Sequence, residues 1–510
     1  MSAMKKLLFL SISLSLAFAA QAVSFTINNV IYTVKDDGVS VEVDDQTNAL
    51  SGNLVIPSSV SYSGKDYAVT SIYSYAFSEY TDLTSVTIPS SIKSISDGAF
   101  YYCSGLTSVT LPASISELPF GVFYNCTSLS SITIPEGVTD IGRSAFCGCT
   151  NLTSVTVPGS VQYIRESAFS GCTALSSITI PDGVQSIENY AFQGCTSLAS
   201  FSFPSSLVSI EYDAFKNTAW YDNQPDGLVY AGNVLYIYKG TMPDNTSIEI
   251  QEGTKGIAGE AFYGCDGLVS VTVPQGVVAI GDEAFRDCGN LISASFPDGV
   301  TWMGDYIFDA CNNLPSVVLP TGISFLDNCF FRSCYDLTSV TIPQGVVWIG
   351  EYAFEDCYYL PKVIIPSSVN LIKRSAFVDC SSLKEVHSQN ATPPTVEAYG
   401  FYNIDDNCTL YVPIGSKAAY QSATGWSDFA TIVEEEVNGI PSLTSGLSIY
   451  TDKDAIVVKG AAAGEMISVY AATGIQLLTL VADGEELRIP LPLGALYFVK
   501  VGGSVVKVVL

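Results

Sequence analysis

The chain of 510 residues has one histidine and only 22 lysine and arginine residues, against 50 aspartate and glutamate residues. Serine- and cysteine-based catalysis needs a histidine that can be oriented beside the nucleophile. The single histidine, His387, lies where the apolar strand pattern begins to fail, and we expect it to be exposed. The acid excess disfavours phosphate backbones and anionic lipid headgroups as partners. It would suit a basic partner, although solubility alone also explains it.

Metal and nucleotide motifs are also missing. The sequence has no Cys-x-x-Cys or His-Glu-x-x-His pattern, which disfavours zinc. Its glycines recur as periodic turn residues and not as a phosphate-binding loop. We therefore expect no catalytic residue, no cofactor and no metal site. After the N-terminal segment no stretch reaches 18 apolar residues, so no transmembrane helix is expected.

The N-terminus has the features of a secretory signal. Two lysines precede an apolar stretch from Leu7 to Ala20, and Ala20-Gln21-Ala22 follows. A basic region, a short apolar core and a small-x-small exit predict cleavage after Ala22. Residues 1–22 are therefore interpreted as the signal peptide of an exported protein. Loss of the two lysines would take the net charge from −28 to −30.

Most of the chain repeats with a period of 23 residues. A fixed period of this length indicates stacked units, each too small to bury its own apolar face. Within the unit 175–187, apolar and polar residues alternate toward Pro181, which predicts a half-buried strand ended by a proline. About fourteen coils at ~4.8 Å each predict a rod of roughly 65–70 Å. The period is clearest at phenylalanine: Phe77, Phe100, Phe123, Phe146, Phe169, Phe192, Phe215, and, after one interruption, Phe262, Phe285, Phe308, Phe331, Phe354 and Phe377.

The unit resembles the repeat of the BspA-like leucine-rich repeat family, which reads close to A-F-x-x-C-x-x-L-x-S-V-x-I-P-x-G-V-x-x-I. Residues 54–435 fit this pattern, and residues 23–53 before them would form an N-terminal cap. The segment 216–261 is similar to the family's variant repeats, and 385–435 to its capping repeat. The resemblance implies a leucine-rich-repeat solenoid with a parallel β-sheet on one face and short helical or 3₁₀ turns. It also implies a surface or secreted protein that adheres to host matrix or to other cells.

Residues 436–510 lack the period and predict a small all-β C-terminal domain. Strand-like segments such as 467–470 and 497–499 suggest an antiparallel arrangement. Their order is similar to the C-terminal sorting domains of the type IX secretion pathway. An ordinary β-sandwich attachment module explains the same pattern, so both interpretations stay open.

Fourteen cysteines in an exported chain first suggest disulfides. Eleven share one repeat position, however, and equivalent positions in neighbouring coils lie about one strand spacing apart, beyond the ~3.8 Å between Cβ atoms that a disulfide prefers. Cys147, Cys329 and Cys408 lie outside this column and are the candidates for reactive or bridging thiols. The column is predicted to be a buried ladder of free thiols: Cys103, Cys126, Cys149, Cys172, Cys195, Cys265, Cys288, Cys311, Cys334, Cys357 and Cys380.

A glycosidase needs two carboxylates and no histidine. Solvated turn residues are the favoured explanation of the acids in the variant segment. A glycan-directed hydrolase or accessory protein is therefore kept as an alternative function, and a structural spacer as another. The aperiodic acids that would supply the hydrolase site are Asp222, Asp226, Asp244, Glu249 and Glu252.

Two surfaces could bind a partner. The exposed sheet face carries small hydroxyls such as Ser177 and Thr179, which lack the large anchors of an interaction hot spot. Tyrosines occupy mostly the variable turn positions, where binding would differ between relatives, although scattered tyrosines without a partner are the other interpretation. We interpret the chain as a monomeric, exported, non-enzymatic adhesion rod that binds protein or glycan at the cell surface. The turn tyrosines are Tyr101, Tyr102, Tyr124, Tyr163, Tyr190, Tyr212, Tyr306, Tyr352, Tyr358 and Tyr359.

Overall fold

The computed structural model describes residues 23–44, 46 and 50–435, and in the C-terminal region seven strands together with Ala461, Ala482 and Leu491. The predicted signal peptide, residues 1–22, lies outside the described residues. Within them the chain forms a β-solenoid of 23-residue coils and, towards its C-terminus, a small all-β unit. The predicted fold class is confirmed.

Each regular coil contains a front strand, a turn that begins at a proline, a two-residue back strand, and a turn that carries the Ala-Phe pair. In the front strand Ser177–Thr179 the burial pattern is exposed, buried, exposed, because Ile178 points into the core. Pro181 cannot donate to a sheet ladder, so the strand ends there. The back strand Ser186–Ile187 buries its isoleucine against the same core.

The coils stack through parallel strand pairs whose register equals the sequence period. Ser131 pairs with Ser154 on the front, and Ile141 pairs with Ile164 on the back. Equivalent residues of neighbouring coils therefore lie side by side. The sixteen front strands are Gly52–Val55, Leu83–Thr87, Ser108–Thr110, Ser131–Thr133, Ser154–Thr156, Ser177–Thr179, Ser200–Ser202, Thr246–Glu249, Leu268–Thr272, Ser293–Ser295, Ser316–Val318, Ser339–Thr341, Lys362–Ile365, Glu385–Ser388, Thr409–Pro413 and Thr431–Glu435. The back strands are Ser94–Ile95, Glu117–Leu118, Asp140–Ile141, Tyr163–Ile164, Ser186–Ile187, Ser209–Ile210, Gly256–Ile257, Ala279–Ile280, Trp302–Met303, Phe325–Leu326, Trp348–Ile349, Leu371–Ile372 and Thr395–Val396.

The sixteen front strands exceed the roughly fourteen coils expected from the sequence. The first front strand, Gly52–Val55, pairs with Leu83–Thr87 in parallel although no phenylalanine of the series marks it. The last, Thr431–Glu435, pairs with Thr409–Pro413 beyond the end of the regular repeats. Terminal coils cover the ends of the core and lack the repeat signature. The number of coils expected from that signature is therefore too low.

A column of phenylalanine rings forms the centre of the core. The rings of Phe146 and Phe169 are fully buried and stack with centroids 5.2 Å apart and planes 8° apart. The turn that holds each ring is closed by a hydrogen bond of the 3₁₀ type, such as the one that Cys172 N–H donates to Phe169 O at 3.1 Å. Left-handed residues on both sides, Ser167 (φ 56°) and Gly171 (φ 71°), stop the turn from extending into a helix.

The N-terminal end of the solenoid is closed by a mixed sheet. The strand Lys65–Ile72 pairs in parallel with Ser40–Val43 and continues into the back sheet through Ser94–Ile95. The sheet therefore extends past the first front strand, and the cap and the first coil share residues. The strands of this sheet are Ser24–Ile27, Val30–Val34, Ser40–Val43, Ser59–Tyr62 and Lys65–Ile72, with Ser94–Ile95 at its edge.

The interruption of the period inserts helix α1, Ala219–Asp222, and the antiparallel hairpin Gly227–Ala231 and Val234–Lys239. The Thr218 hydroxyl caps α1 by accepting from Tyr221 N–H at 3.1 Å. Trp220 and Tyr236 continue the aromatic column, with ring centroids 5.1 and 5.3 Å from Phe215. The core therefore stays filled where the phenylalanine series stops.

The C-terminal end of the solenoid is closed by helix α2, Lys417–Ser422, and a buried tryptophan. Trp426 is fully buried and donates from Nε1 to Pro394 O at 2.7 Å. Further along, seven strands form two antiparallel sheets around Ile456, Ile467 and Val499. None of the helices in the described residues is long and apolar enough to cross a membrane. The seven strands are Ser448–Asp452, Ala455–Lys459, Met466–Ala471, Gln476–Val481, Leu487–Pro490, Leu496–Val501 and Ser504–Val509.

Candidate binding surfaces

The front face of the solenoid carries the expected columns of small hydroxyls. Ser177 and Thr179 are exposed, as are Ser154 and Thr156 one coil earlier. Short side chains of this kind bury little area and hold one polar contact each. These columns therefore lack the tyrosine, tryptophan and arginine anchors that dominate binding energy at interfaces.

Four tyrosines from three consecutive coils meet at the edge formed by the phenylalanine turns. We call Tyr75, Tyr101, Tyr102 and Tyr124 the tyrosine patch. Tyr101 and Tyr124 stack with centroids 4.6 Å apart and planes 11° apart, and Tyr102 packs 4.8 Å from Tyr101. Tyr75 closes the group at 5.7 Å from Tyr101. Tyr75 and Tyr102 are 43% and 41% exposed, so part of the cluster faces solvent.

Backbone geometry makes room for this patch. Gly98 has φ +62°, and a Cβ atom on it would lie 2.3 Å from the ring of Tyr75. The pKa of Tyr124 is raised, first because a thiolate at the nearby Cys147 would repel the phenolate and then because the ring is partly buried. The Tyr124 hydroxyl therefore stays neutral at physiological pH and can both donate and accept hydrogen bonds.

Several other turn tyrosines are engaged within the solenoid. Tyr190 and Tyr212 meet edge to face at 4.9 Å, and Tyr335 stacks on Tyr358 at 5.2 Å. Tyr163 lies under the guanidinium of Arg165 at 4.4 Å. These contacts stabilise neighbouring coils against one another.

A buried ion cluster surrounds Tyr306. Arg286 and Arg332 lie 5.4 and 5.3 Å from its ring. Arg332 binds both carboxylate oxygens of Asp309, at 2.8 and 2.7 Å, and this carboxylate is almost fully buried. Arg286 Nε lies 3.0 Å from Asp309 Oδ2 but outside hydrogen-bond geometry. The bidentate Arg332 contact is therefore the main compensation for the buried charge.

A cavity of about 600 Å³ lies at the C-terminal cap. Tyr399 and Tyr402 stand at its rim, 58% and 61% exposed, with centroids 5.7 Å apart. Phe401 and Phe429 form apolar parts of its wall. Exposed tyrosines therefore meet at this cavity as well as at the tyrosine patch, so a variant at the cavity can serve as a control for the patch.

An open cleft of about 440 Å³ lies on the back of the solenoid, where the interruption separates neighbouring coils. We call it the acidic cleft. Its walls contain four carboxylates and one partly exposed indole: Glu166, Glu188, Glu211, Asp282 and Trp302, with Ser186, Asn189, Ser209 and Ala279 between them.

Gly259 lies between the Glu211 carboxylate and the backbone of Asp282. The N–H of Gly259 donates to Ile210 O at 2.9 Å, so its coil packs directly on the coil of Glu211. A Cβ atom on Gly259 would lie 3.0 Å from Glu211 Oε2 and 3.2 Å from Asp282 O. A larger residue at position 259 would therefore crowd the Glu211 carboxylate and the backbone carbonyl of Asp282.

The four carboxylates of the acidic cleft differ in whether an arginine neutralises them. Glu166 pairs with Arg143 at 3.0 Å, and Glu188 pairs with Arg165 at 2.8 Å. In the described part of the chain no lysine or arginine nitrogen lies within 4 Å of Glu211 or Asp282. Glu211 Oε1 accepts from the Ser209 hydroxyl at 2.8 Å, whereas Oε2 is enclosed without a hydrogen-bond partner.

Burial raises the pKa of both unpaired carboxyls. The pKa of Glu211 rises to about 7, mainly through desolvation and then through repulsion by Asp282. The pKa of Asp282 rises to about 6, again mainly through desolvation, although it accepts from Asp305 N–H at 2.9 Å. The Asp282 backbone N–H approaches the Glu211 carboxylate and offsets part of its shift, without satisfying Oε2. The cleft therefore holds two carboxyls that titrate near neutral pH.

The eleven cysteines of the repeat column lie inside the solenoid as free thiols. Ten of them donate to the phenylalanine carbonyl of the preceding coil, as Cys172 Sγ does to Phe146 O at 3.2 Å. Burial raises the pKa of the Cys103 thiol to about 12 and that of Cys265 to about 11. Thiols with such pKa values are unreactive at neutral pH. The sulfur atoms therefore satisfy backbone carbonyls of the core.

The sequence pattern described as "BspA type Leucine rich repeat region" matches residues 58–176, 162–223, 236–360 and 348–423, in six copies. Together these ranges span well over half of the chain. The chain belongs to the BspA-type leucine-rich repeat family. Membership accounts for the register of the sheets, since each family unit supplies one front and one back strand. It also indicates a binding module rather than a catalytic domain.

Solved structures similar to this BspA-type chain include a leucine-rich repeat protein from Bacteroides ovatus, at 25% identity. It covers 81% of this chain and all of its own, with a TM-score of 0.37. A leucine-rich cell surface protein from Faecalibacterium prausnitzii is 27% identical and covers 72% of this chain and 95% of its own (TM-score 0.31). The pneumococcal vaccine antigen PcpA is 22% identical, with 82% and 99% covered and a TM-score of 0.35. A search among curated proteins found no match.

The expectation that His387 is exposed is wrong. Its imidazole lies on a front strand near the BspA-type cap and is only 13% exposed. The ring stacks on Tyr411 at 4.3 Å, and its nitrogens lie 2.7 Å from Glu435 Oε1 and 3.2 Å from Glu385 Oε2. Parallel pairing places Tyr411 beside His387, a contact between coils that the local strand pattern does not reveal.

The five acids proposed for a hydrolase site are all exposed: Asp222, Asp226, Asp244, Glu249 and Glu252. Two carboxyls that line one cleft, Glu211 and Asp282, were not identified from the sequence. Both follow a back-strand position, and the sequence signal that could have identified them is Gly259, a residue without a side chain in the coil that packs on Glu211. In the described residues no group of three metal-ligating side chains is arranged to hold a metal ion.

Of the three cysteines outside the column, Cys329 and Cys408 are buried and Cys147 is half-buried.

Proposed function

We propose that this protein is an exported, non-enzymatic adhesion rod that binds a protein or glycan partner at the cell surface through the tyrosine patch. The observation that carries the proposal is the convergence of four tyrosines from three coils on one partly exposed edge. Family membership supports a binding role. The predicted signal peptide, residues 1–22, supports export.

Physical properties of the patch favour recognition. Tyrosine offers a large rigid ring with a polar tip, and it loses little conformational entropy on binding. Because Tyr101 and Tyr124 are already stacked, their orientation is set before a partner arrives. Their flat rings match either an apolar side chain or the face of a sugar, and their hydroxyls supply the directional contacts.

A glycan and matrix-protein array probed with the purified protein tests this function. Binding to one class of ligand is expected, and Tyr102→Ala and Tyr124→Ala should weaken it at least about tenfold. Tyr402→Ala, which removes an exposed tyrosine at the cap cavity, is the control and should bind normally. Loss of binding only in Tyr402→Ala would assign the function to the cap cavity. Absence of any ligand on the array would favour the structural spacer.

Hydrolysis of glycans is the competing function, and the exposed positions of the five variant-segment acids speak against it. Glycoside hydrolysis needs two carboxyls that face the same scissile bond. Incubation with mucosal glycans and matrix proteins should release no products. Turnover abolished by Asp222→Asn or Glu249→Gln would establish the hydrolase instead.

A further inference from the structure

We propose that the acidic cleft is a second binding site that takes the guanidinium group of an arginine in a partner polypeptide. The site shares no residue with the tyrosine patch. It combines uncompensated carboxylates, unsatisfied acceptors and an aromatic wall in one cleft.

The acceptors in the cleft are short of donors. Glu211 Oε2 and Asn189 Oδ1 are both enclosed and have no hydrogen-bond partner. Buried acceptors of this kind are rare, since leaving one unsatisfied is unfavourable. Both residues line the cleft, so two acceptors without a hydrogen bond are present for a donor that binds there.

The charge in the cleft also lacks a partner. Arg143 and Arg165 neutralise Glu166 and Glu188, which leaves Glu211 and Asp282 as the excess negative charge. A guanidinium carries a fixed positive charge and five N–H donors in one plane. It could therefore supply both the hydrogen-bond donors and the positive charge that the cleft lacks. A metal ion would need several oxygens at short, regular distances, and the described residues show no such group.

Trp302 supplies the remaining contact. It is 37% exposed, lies on a back strand at the edge of the cleft, and presents an indole to the same space. Guanidinium groups bind preferentially to tryptophan among the aromatic residues. An arginine side chain could thus lie along the indole while its head group meets Glu211 and Asp282.

Titration of the cleft predicts how binding depends on pH. Glu211 faces Asp282, Glu188 and the Ser209 hydroxyl, and Asp282 faces Asp305, Asp327 and Glu283. The pKa values of Glu211 and Asp282, about 7 and about 6, mean that both are charged at pH 8 and mostly neutral at pH 5. Binding of a cation should therefore weaken as the pH falls.

The test is a titration of the purified protein with the capped tripeptide acetyl-Gly-Arg-Gly-amide, followed by isothermal calorimetry and tryptophan fluorescence. Saturable binding is expected at pH 8, and it should be at least about tenfold weaker at pH 5. The same peptide with citrulline in place of arginine, which keeps the shape and removes the charge, should not bind. Equal binding of the citrulline peptide would overturn the proposal.

Variants locate the site. Glu211→Gln should reduce affinity at least about tenfold, and Trp302→Phe should remove most of the fluorescence change. Glu136→Gln, an exposed turn acid outside the cleft, is the control and should bind as the parent does. If Glu211→Gln binds normally, or if calcium chloride alone displaces the peptide one for one, the proposal is wrong. The pH and citrulline measurements use the parent protein, so they decide even if a variant folds poorly.

Discussion

Cys147 differs from the other thirteen cysteines in its exposure. It is half-buried beside the tyrosine patch, whereas the others, including Cys329 and Cys408, are buried. A thiol reacts through its thiolate, so burial protects it both by excluding the reagent and by raising the pKa.

A thiol-labelling experiment should distinguish these cysteines. In the native protein a maleimide reagent is expected to label Cys147 slowly and the buried thiols hardly at all, and all fourteen should react in denaturant. Mass spectrometry of the labelled protein identifies the sites. A Cys147→Ala variant should show almost no native labelling. Rapid native labelling of Cys172 or Cys334 would contradict the buried ladder.

Arg332 and Arg143 provide a second comparison at the scale of single residues. Arg332 compensates the buried Asp309 carboxylate, whereas Arg143 is 61% exposed and pairs with a partly exposed Glu166. Arg332→Ala should lower the free energy of unfolding by about 2–4 kcal/mol, because it leaves a buried charge under-compensated. Arg143→Ala should change it by less than about 1 kcal/mol, since exposed pairs contribute little. Urea unfolding followed by circular dichroism measures both, and equal effects would show that Asp309 is adequately stabilised by Arg286 alone.

At the scale of the coil, the interruption changes the electrostatics of the back sheet. Next to the hairpin Gly227–Ala231 and Val234–Lys239, the coil of Gly259 packs on the coil of Glu211, and Glu211 and Asp282 line one cleft without a lysine or arginine partner in the described residues. Such pairs make stability depend on pH, because the folded chain retains protons that the unfolded chain releases.

The sign of this dependence follows from the raised pKa of Glu211. Between about pH 4.5, where the unfolded carboxyl ionises, and about 7, the folded chain binds more protons, so stability falls as the pH rises. Glu211→Gln should therefore be about 1–3 kcal/mol more stable than the parent at pH 8 and about equal at pH 4. Thermal unfolding across this range measures the difference, with Glu136→Gln as a control that should follow the parent at every pH. A variant that is less stable at pH 8 would show that the Glu211 carboxylate is compensated.

At the scale of the whole molecule, the solenoid buries its coils against one another, and the segment 436–510 lies outside the repeats. Repeat arrays draw their stability from nearest-neighbour interfaces, so removal of a non-repeat segment should leave the array folded. We expect the chain truncated at Glu435 to be soluble and folded. We also expect it to be lost from the cell surface and found in the periplasm or the medium.

Cell fractionation and surface proteolysis of cells that express each form provide the measurement. Truncation after the β-domain's last strand, at Val509, is the matched control and should localise as the full chain does. Surface display of the Glu435 truncation at the full-length level would mean that the tail is an ordinary β-domain and that its likeness to a sorting domain is misleading.

Periodicity alone was enough to predict the solenoid, its parallel registers and the chemistry of its core. Phe169, Ile178 and Cys172 each recur every 23 residues, and a repeating apolar position in a stacked fold can only face the interior. Part of the tyrosine patch could also be predicted from the sequence, because Tyr101 and Tyr124 are one period apart and equivalent positions of neighbouring coils lie side by side. The terminal coils were less visible, since they lack the repeat signature.

Only the tertiary structure decided the contacts at the positions where the 23-residue period is interrupted. Glu211 and Asp282 are 71 residues apart, which is not a multiple of 23, and they line one cleft because the coil of Gly259 packs directly on the coil of Glu211 across the inserted segment. His387 contacts Glu435, 48 residues away, because two successive parallel pairings place their front strands in the same sheet. The sequence by itself determined the repeating core, because burial selects the same residue type in every coil. The acidic cleft depends on which coils become neighbours across an insertion, and that is settled by packing rather than by any local pattern.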